Sequence, residues 1–216
     1  MIVAIDGPAG AGKSTVARRL AERLGWTFLD TGAIFRAITW YFLKNGYPER
    51  EGYSFQQELL GVEIDIIDGS LVVNSYKVGD EIRTPVVDSY VSDIAALRYV
   101  RDYATQVERK IARRHCDIVV EGRDTTTVVF KDADLKVYLD ASVDERARRR
   151  FEELLQKGIS GITLEEIKKD IIRRDEKDKG REYAPLIVSP DAVVIDTTEL
   201  SVEEVVDRIV DLVNKI

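Results

Sequence analysis

A chain of 216 residues, 44% hydrophobic and 33% charged, can bury one good core plus a small appended subdomain, so one main domain is expected. A formal net charge of −7 argues against a broad footprint for nucleic acid and favours small anionic ligands gathered by a local basic cleft. Its one cysteine, Cys116, excludes an internal disulfide, no apolar run can span a bilayer, and the apolar opening at residues 1–5 is too short for a signal peptide; the expectation is a cytoplasmic monomer with no nucleic-acid and no membrane partner.

Strand and helix signals alternate along the chain. Residues 2–6 form a short apolar run closed by Gly7-Pro8, and residues 13–24 carry helical spacing through Val16, Ala17, Leu20 and Leu24, ended by Gly25. An extended piece at 27–29 and a second helix at about 33–43 follow, with a stop at Asn45-Gly46. The segment 47–87 changes character: runs at 62–67 and 71–73 flank Asp68-Gly69-Ser70, the pattern of a hairpin, and the whole reads as an insertion. A long helix is predicted over 89–114, then buried strands at 117–120 and 135–139. Helices at 143–157 and 164–179 are separated by a turn at 158–161, and a last strand at 192–195 precedes a helix at 202–213. The alternation predicts an α/β fold with an open parallel sheet covered by helices on both faces and ligands at the carboxyl ends of its strands.

Directly after the first strand, Gly7-Pro8-Ala9-Gly10-Ala11-Gly12-Lys13-Ser14 fits the phosphate-loop pattern G-x-x-x-x-G-K-[ST], in the strand-to-helix context that it requires. Glycines let the backbone curl so that successive N–H groups, together with the positive end of the following helix, face phosphate oxygens. Lys13 supplies a point charge, Ser14 a hydroxyl for Mg²⁺, and Thr15 extends the set. A glycine turn that merely starts a helix needs neither Lys13 nor Ser14. The guanine-reading N-K-x-D is absent except for the terminal pair Asn214-Lys215, which disfavours a GTPase. His115, the single histidine, lies beside Cys116 without the company that acyl-transfer or metal chemistry needs.

Seven segments carry a further signal: GPAGAGKST from Gly7, DTGAIFRA from Asp30, EIRTPVV from Glu81, EGRD from Glu121 with TVVF from Thr127, KVYLDAS from Lys136, RRDEKDKGR from Arg173 and APL from Ala184. In these, and nearly end to end, the chain resembles the bacterial cytidylate kinases among the P-loop nucleoside monophosphate kinases. The resemblance implies a P-loop NTPase fold with a core at 1–46 and 88–216, an acceptor-binding insert at 47–87 and a mobile lid at about 146–180. It implies ATP as donor with Mg²⁺, and CMP or dCMP as acceptor.

The same resemblance implies roles. Lys13, Arg123, Arg174 and Arg181 would be catalytic; Thr31, Arg36, Ser92, Arg101, Gly122, Arg123, Asp124, Asp178 and Arg181 would hold the acceptor. Arg36 and Arg123 would meet its phosphate, Ser92, Arg101 and Asp124 its base, and Asp178 its sugar. Ser92 and Arg101 are expected on one helix, and 174, 178 and 181 on one helix face. Glu121 stands where related kinases often place an aspartate that orients magnesium waters. Thr125-Thr126 replaces a hydrophobic residue and glycine, Lys131 and Leu97 each replace a proline, and a different local backbone is expected after EGRD. Direct in-line transfer needs no strong general base, because a phosphate acceptor is already ionised near neutrality. The basic run Arg146, Arg148, Arg149 and Arg150 is a source of lid cations for the transferring phosphoryl. A UMP or AMP kinase and an ATP-binding sensor without turnover are the competing readings.

Overall fold

A computed structural model describes residues 1–67, 69–156, 158–159 and 161–216. The expected turn at 68–70, the last residue of the helix at 143–157 and part of the turn at 158–161 fall on Asp68, Lys157 and Ser160, outside the described residues. Two compact units are present, one formed by Met1–Leu29 with Cys116–Ile216 and the other by Asp30–His115. The second is wider than the segment 47–87 singled out in the sequence.

The first unit is built on a five-stranded sheet. Its strands are β1 (Ile2–Asp6), β2 (Thr27–Asp30), β6 (Ile118–Glu121), β7 (Leu135–Asp140) and β8 (Val193–Asp196), in the order β2-β6-β1-β7-β8. β1 pairs in parallel with β6 and β7, and β7 with β8. Central strands buried on both faces must be continuously apolar, and Val3, Ala4, Ile5, Val119, Val120, Val137 and Leu139 are completely buried. Helix α1 (Lys13–Leu24) lays Val16, Ala17, Leu20 and Ala21 on this core, and α8 (Val202–Val213) adds Val205, Val206, Ile209 and Val213. Gly25 ends α1 in the left-handed conformation. Helices α6 (Val143–Gln156) and α7 (Leu164–Lys179) share a small apolar cluster of Ala147, Ile167 and Ile171.

The second unit holds α2 (Thr31–Lys44), α3 (Phe55–Leu60) and a three-stranded antiparallel sheet of β3 (Ile64–Ile67), β4 (Ser70–Val73) and β5 (Tyr76–Lys77), followed by α4 (Pro85–Ile94) and α5 (Arg98–Ala112). Phe42, Tyr47, Tyr53, Phe55 and Tyr90 form an aromatic cluster with ring centroids 4.7–6.1 Å apart. The single helix predicted over 89–114 is two helices. Leu97 takes an extended conformation as the first cap of α5, and the Arg101 guanidinium donates to the Ala95 carbonyl at 2.8 Å, satisfying a group that the end of α4 would otherwise strand. No glycine or proline marks this break, so apolar periodicity runs through it.

The segment after EGRD forms a π-helical turn at Thr125–Val129. Its cause is Asp6, fully buried at the end of β1. The Thr125 N–H donates to Asp6 Oδ1 at 2.9 Å, and Thr126 donates to Oδ2 through its N–H at 2.8 Å and its hydroxyl at 2.6 Å; the Thr125 hydroxyl completes the set on Oδ1. Burial raises the Asp6 pKa, and these donors pull against that rise by favouring the ionised form. Thr125→Val and Thr126→Val are each expected to cost about 1–2 kcal/mol near neutrality. The cost shrinks as pH falls through the raised titration of Asp6, because the protonated carboxyl gains less from donors. Urea unfolding near neutrality and at about pH 4 measures both losses; equal losses would show that the hydroxyls do not serve the carboxylate.

Candidate active site

The loop between β1 and α1 has the geometry that anion binding requires. Gly7, Gly10 and Gly12 have φ of 152°, 78° and 86°, and a Cβ on Gly7 would sit 2.1 Å from the Leu139 carbonyl oxygen, so no other residue fits there. Gly12 caps α1 and accepts from the Val16 N–H at 2.9 Å. Pro8 and Ala9 are buried, whereas Ser14 and Thr15 are exposed on the first turn of α1. Lys13 is 5% exposed and donates through Nζ to the Pro8 carbonyl at 2.8 Å. Burial, and secondarily the Arg123 guanidinium, push its pKa down to about 7.

Beside the loop, β6 delivers Glu121 level with Ile5 of β1. Ser14 Oγ donates to Glu121 Oε1 at 2.6 Å, which brings together a hydroxyl and a buried carboxylate, both hard oxygen donors. Gly122 donates its N–H to the Ile5 carbonyl at 2.9 Å, and Asp124 is buried immediately before the π-helical turn. The structure brings Arg123, Asp178 and Arg181 together: Arg123 Nε donates to Asp178 Oδ2 at 3.0 Å and Arg181 Nη2 to Oδ1. Arg174 lies half-buried on α7 with Asp178. Arg181, expected on the same helix face, lies past the end of α7, because Gly180 caps that helix.

Of the basic run, Arg146 is buried and bonded to the Ala9 carbonyl, the Ala141 carbonyl and Asp175. Arg148 pairs with Glu145 and Glu152, Arg150 with Glu153, and Arg149 with Glu145 and Thr197. Only Arg149 borders the loop without bonding to it; its Nη1 would lie 3.7 Å from a Cβ on Gly12. Arg146 is thus a structural partner of the loop rather than a lid cation waiting for a phosphoryl group. The sequence reading gave no role to Asp6, a lone acidic residue in a strand, or to Asp175, which stands inside RRDEKDKGR among other charged residues.

The acceptor candidates of the second unit are distributed over three helices. Thr31 opens α2 behind Asp30, whose side chain caps the helix through the Ala33 N–H at 2.9 Å and accepts from Arg83 Nη2 at 2.9 Å. Arg36 of α2 forms an ion pair with Asp88 of α4. Ser92 lies on α4 and Arg101 on α5, so the expectation of one shared helix is corrected by the break at Leu97. Arg101 is 3% exposed, its guanidinium 5.0 Å from the Phe35 ring centroid.

A glycine loop entering α1 from the central strand, a buried lysine in it and a carboxylate at the end of the neighbouring parallel strand define a P-loop kinase fold. A crystal structure of shikimate kinase from Bacteroides thetaiotaomicron, 15% identical, matches with a TM-score of 0.52 over 99% of this chain and 98% of that one, a likeness of fold alone. Residues 3–215 match the family described as cytidylate kinase. Cytidylate kinase of Thermosipho melanesiensis is 45% identical over 99% of this chain and 96% of its own length. That of Carboxydothermus hydrogenoformans is 44% identical over 100% and 98%, and that of Clostridioides difficile 42% over 99% and 98%. The chain belongs to the cytidylate kinase family. Among the described residues no helix is long and apolar enough to cross a membrane.

Phosphate binding at this loop is expected to be proton-linked through Lys13. With a pKa of about 7, Lys13 is mostly neutral one unit higher, only about a tenth of it charged there. Phosphate oxygens favour the ammonium, so binding takes up close to one proton at about pH 8, and affinity falls as pH rises above about 7. Calorimetric titration of ADP in two buffers of different ionisation enthalpy reads the uptake directly. It is expected in the wild type and absent in Lys13→Met; a wild type without uptake would mean that the lysine is already charged before nucleotide arrives.

Proposed function

We propose that this member of the cytidylate kinase family transfers the γ-phosphoryl group of ATP directly to the phosphate of CMP, and of dCMP, giving CDP or dCDP and ADP. The match of residues 3–215 to the family carries the reading. The loop geometry at residues 7–14 supports the donor half of it. We assign the donor phosphates to the loop of Gly7 through Thr15, by its backbone N–H groups after Ala9, and to Lys13. Mg²⁺ bound with ATP fits the Ser14 hydroxyl and the Glu121 carboxylate, and would neutralise phosphate charge there.

For the acceptor, Arg36, Arg123, Arg174 and Arg181 are proposed on phosphate, Asp178 on the sugar, and Thr31, Ser92, Arg101, Gly122 and Asp124 around the rest of the nucleotide. With an ionised acceptor, positioning and charge stabilisation supply the catalysis. Base choice follows from hydrogen-bond polarity. Cytosine offers an amino donor beside N3 and O2 acceptors, whereas uracil reverses the first two. A carboxylate at Asp124 suits the amino group and a guanidinium at Arg101 the acceptors. Uracil would leave desolvated groups facing like partners at about 1–3 kcal/mol each, so a preference for CMP of roughly a hundredfold is expected. We place the activity in the cytoplasm, carried out by a monomer.

ADP release in a coupled assay across CMP, dCMP, UMP, AMP and shikimate decides between this reading, a kinase for another acceptor and a sensor without turnover. Lys13→Ala is expected to lower kcat by at least about a hundredfold, since its charge follows the migrating phosphoryl. Asp124→Ala and Arg101→Met are expected to lower kcat/KM for CMP much more than for UMP. If both keep the wild-type ratio, the assignment of base contacts is wrong.

A further inference from the structure

Arg146 and Asp175 form a buried ion pair to which the sequence analysis gave no joint role. They are 4% and 7% exposed, and Arg146 Nη1 donates to Asp175 Oδ2 at 2.6 Å. Two further bonds of the pair converge on one residue of the phosphate loop, Ala9. Asp175 Oδ1 accepts from the Ala9 N–H at 3.2 Å, and Arg146 Nη1 donates to the Ala9 carbonyl at 2.8 Å. Arg146 Nε is fixed in turn on the Ala141 carbonyl at 3.0 Å, which orients the guanidinium plane. The next loop residue, Gly10, has its backbone against the same arginine, since a Cβ there would be 3.0 Å from Arg146 Cβ. Both polar groups of Ala9 are therefore held by one charge pair, whose members come from α6 and α7.

We propose that Arg146 and Asp175 are positioning residues of the donor site: by gripping both the N–H and the carbonyl of Ala9 they fix the loop in the curvature that aims its following N–H groups at phosphate. A buried ion pair is a poor source of stability, because its desolvation cost is comparable to its attraction. Its geometry, by contrast, is specific, since a planar fork and a carboxylate can satisfy two opposed backbone groups at fixed angles. α7 also carries Arg174 and Asp178, so the carboxylate that grips the donor loop and two residues assigned to the acceptor move as one helix. The inference rests on the reading of Gly7–Thr15 as the ATP site.

The test uses the full chain and four proteins: wild type, Arg146→Lys, Asp175→Ala and the double variant Arg146→Met/Asp175→Leu. The double variant removes both charges, so that neither is left buried without its partner as in Asp175→Ala. ADP affinity by calorimetry, KM for ATP and for CMP, and Tm are measured for each. The expected result is an increase of about tenfold in the ADP Kd and in KM for ATP in all three variants, with KM for CMP within about twofold of wild type. In the double variant Tm rises above that of Asp175→Ala, which strands a buried guanidinium, while ADP affinity stays weak. Recovery of ADP affinity together with Tm would overturn the proposal, as would equal increases in KM for both substrates, since either outcome describes a merely structural pair. If the double variant does not fold, Arg146→Lys decides. It keeps the charge but cannot reach Ala9 and Ala141 together, so an unchanged ADP Kd overturns the proposal and a weakened one supports it. A wild type that binds no ADP would instead remove the donor-site reading, and the inference with it.

Discussion

The carboxylate of Asp6 is the point on which the first unit turns. It ends β1, the strand that launches the phosphate loop, and it binds the two residues that follow Arg123 and Asp124. A fully buried carboxylate is costly unless donors surround it, so only one arrangement of the β6 exit satisfies it. That arrangement, with Gly122 bonded to Ile5, fixes where Glu121, Arg123 and Asp124 stand relative to Gly7–Ser14. Where the family pattern places a hydrophobic residue and glycine, this chain places two hydroxyls, and they supply the donors. None of the residues from 124 to 130 has a positive φ, so a glycine is not needed to make the turn.

The loop itself is held from both sides of its curve. On one side the Leu139 carbonyl crowds Gly7 so closely that a side chain there is excluded; on the other the pair of Arg146 and Asp175 takes both polar groups of Ala9. A backbone held this way has its curvature set by the protein's own contacts. Lys13 bends back to the Pro8 carbonyl and, being buried, sheds part of its charge. On the proposed assignment, nucleotide phosphates would restore a proton and a charge to a framework already formed. Preorganisation of this kind lowers the reorganisation that the transfer step requires.

Much of this was legible in the sequence where chemistry and periodicity coincide. Residues 13–24, 164–179 and 202–213 read as helices with the observed ends, because a capping residue or glycine stands at each boundary. The phosphate loop was legible because its residue types are dictated at fixed spacing. The break between α4 and α5 was not, since Arg101 makes it from one turn inside α5 with a side-chain bond to Ala95. The only trace was that Leu97 stands where the family pattern has a proline. Asp6, Asp175 and Asp88 were hidden for a related reason: each acts through a partner distant in the chain, and pairing across 119, 29 or 52 residues leaves no local pattern.

Three of the four arginines proposed on phosphate pair with carboxylates in this structure. Arg36 pairs with Asp88 within the second unit, and Arg123 and Arg181 share Asp178 within the first. A guanidinium buried without an anion would be penalised heavily, so an intramolecular carboxylate lets it wait in place, oriented and desolvated. An incoming phosphate must then displace or share that carboxylate, and a singly charged or misplaced anion gains too little to do so. A dianionic nucleotide phosphate presents more charge and three oxygens and can engage the fork of each arginine. For Asp178 the exchange has a further consequence. Once Arg123 and Arg181 turn to phosphate, its oxygens are released to accept from hydroxyls, the chemistry of a ribose or deoxyribose. On the proposed assignments, recognition of phosphate and of sugar would be coupled through this one carboxylate, and a molecule offering only one of the two groups would not complete the exchange. This fits a chain with a net charge of −7 that acts on anions: local charge is balanced in advance, and selectivity comes from what can replace the balance.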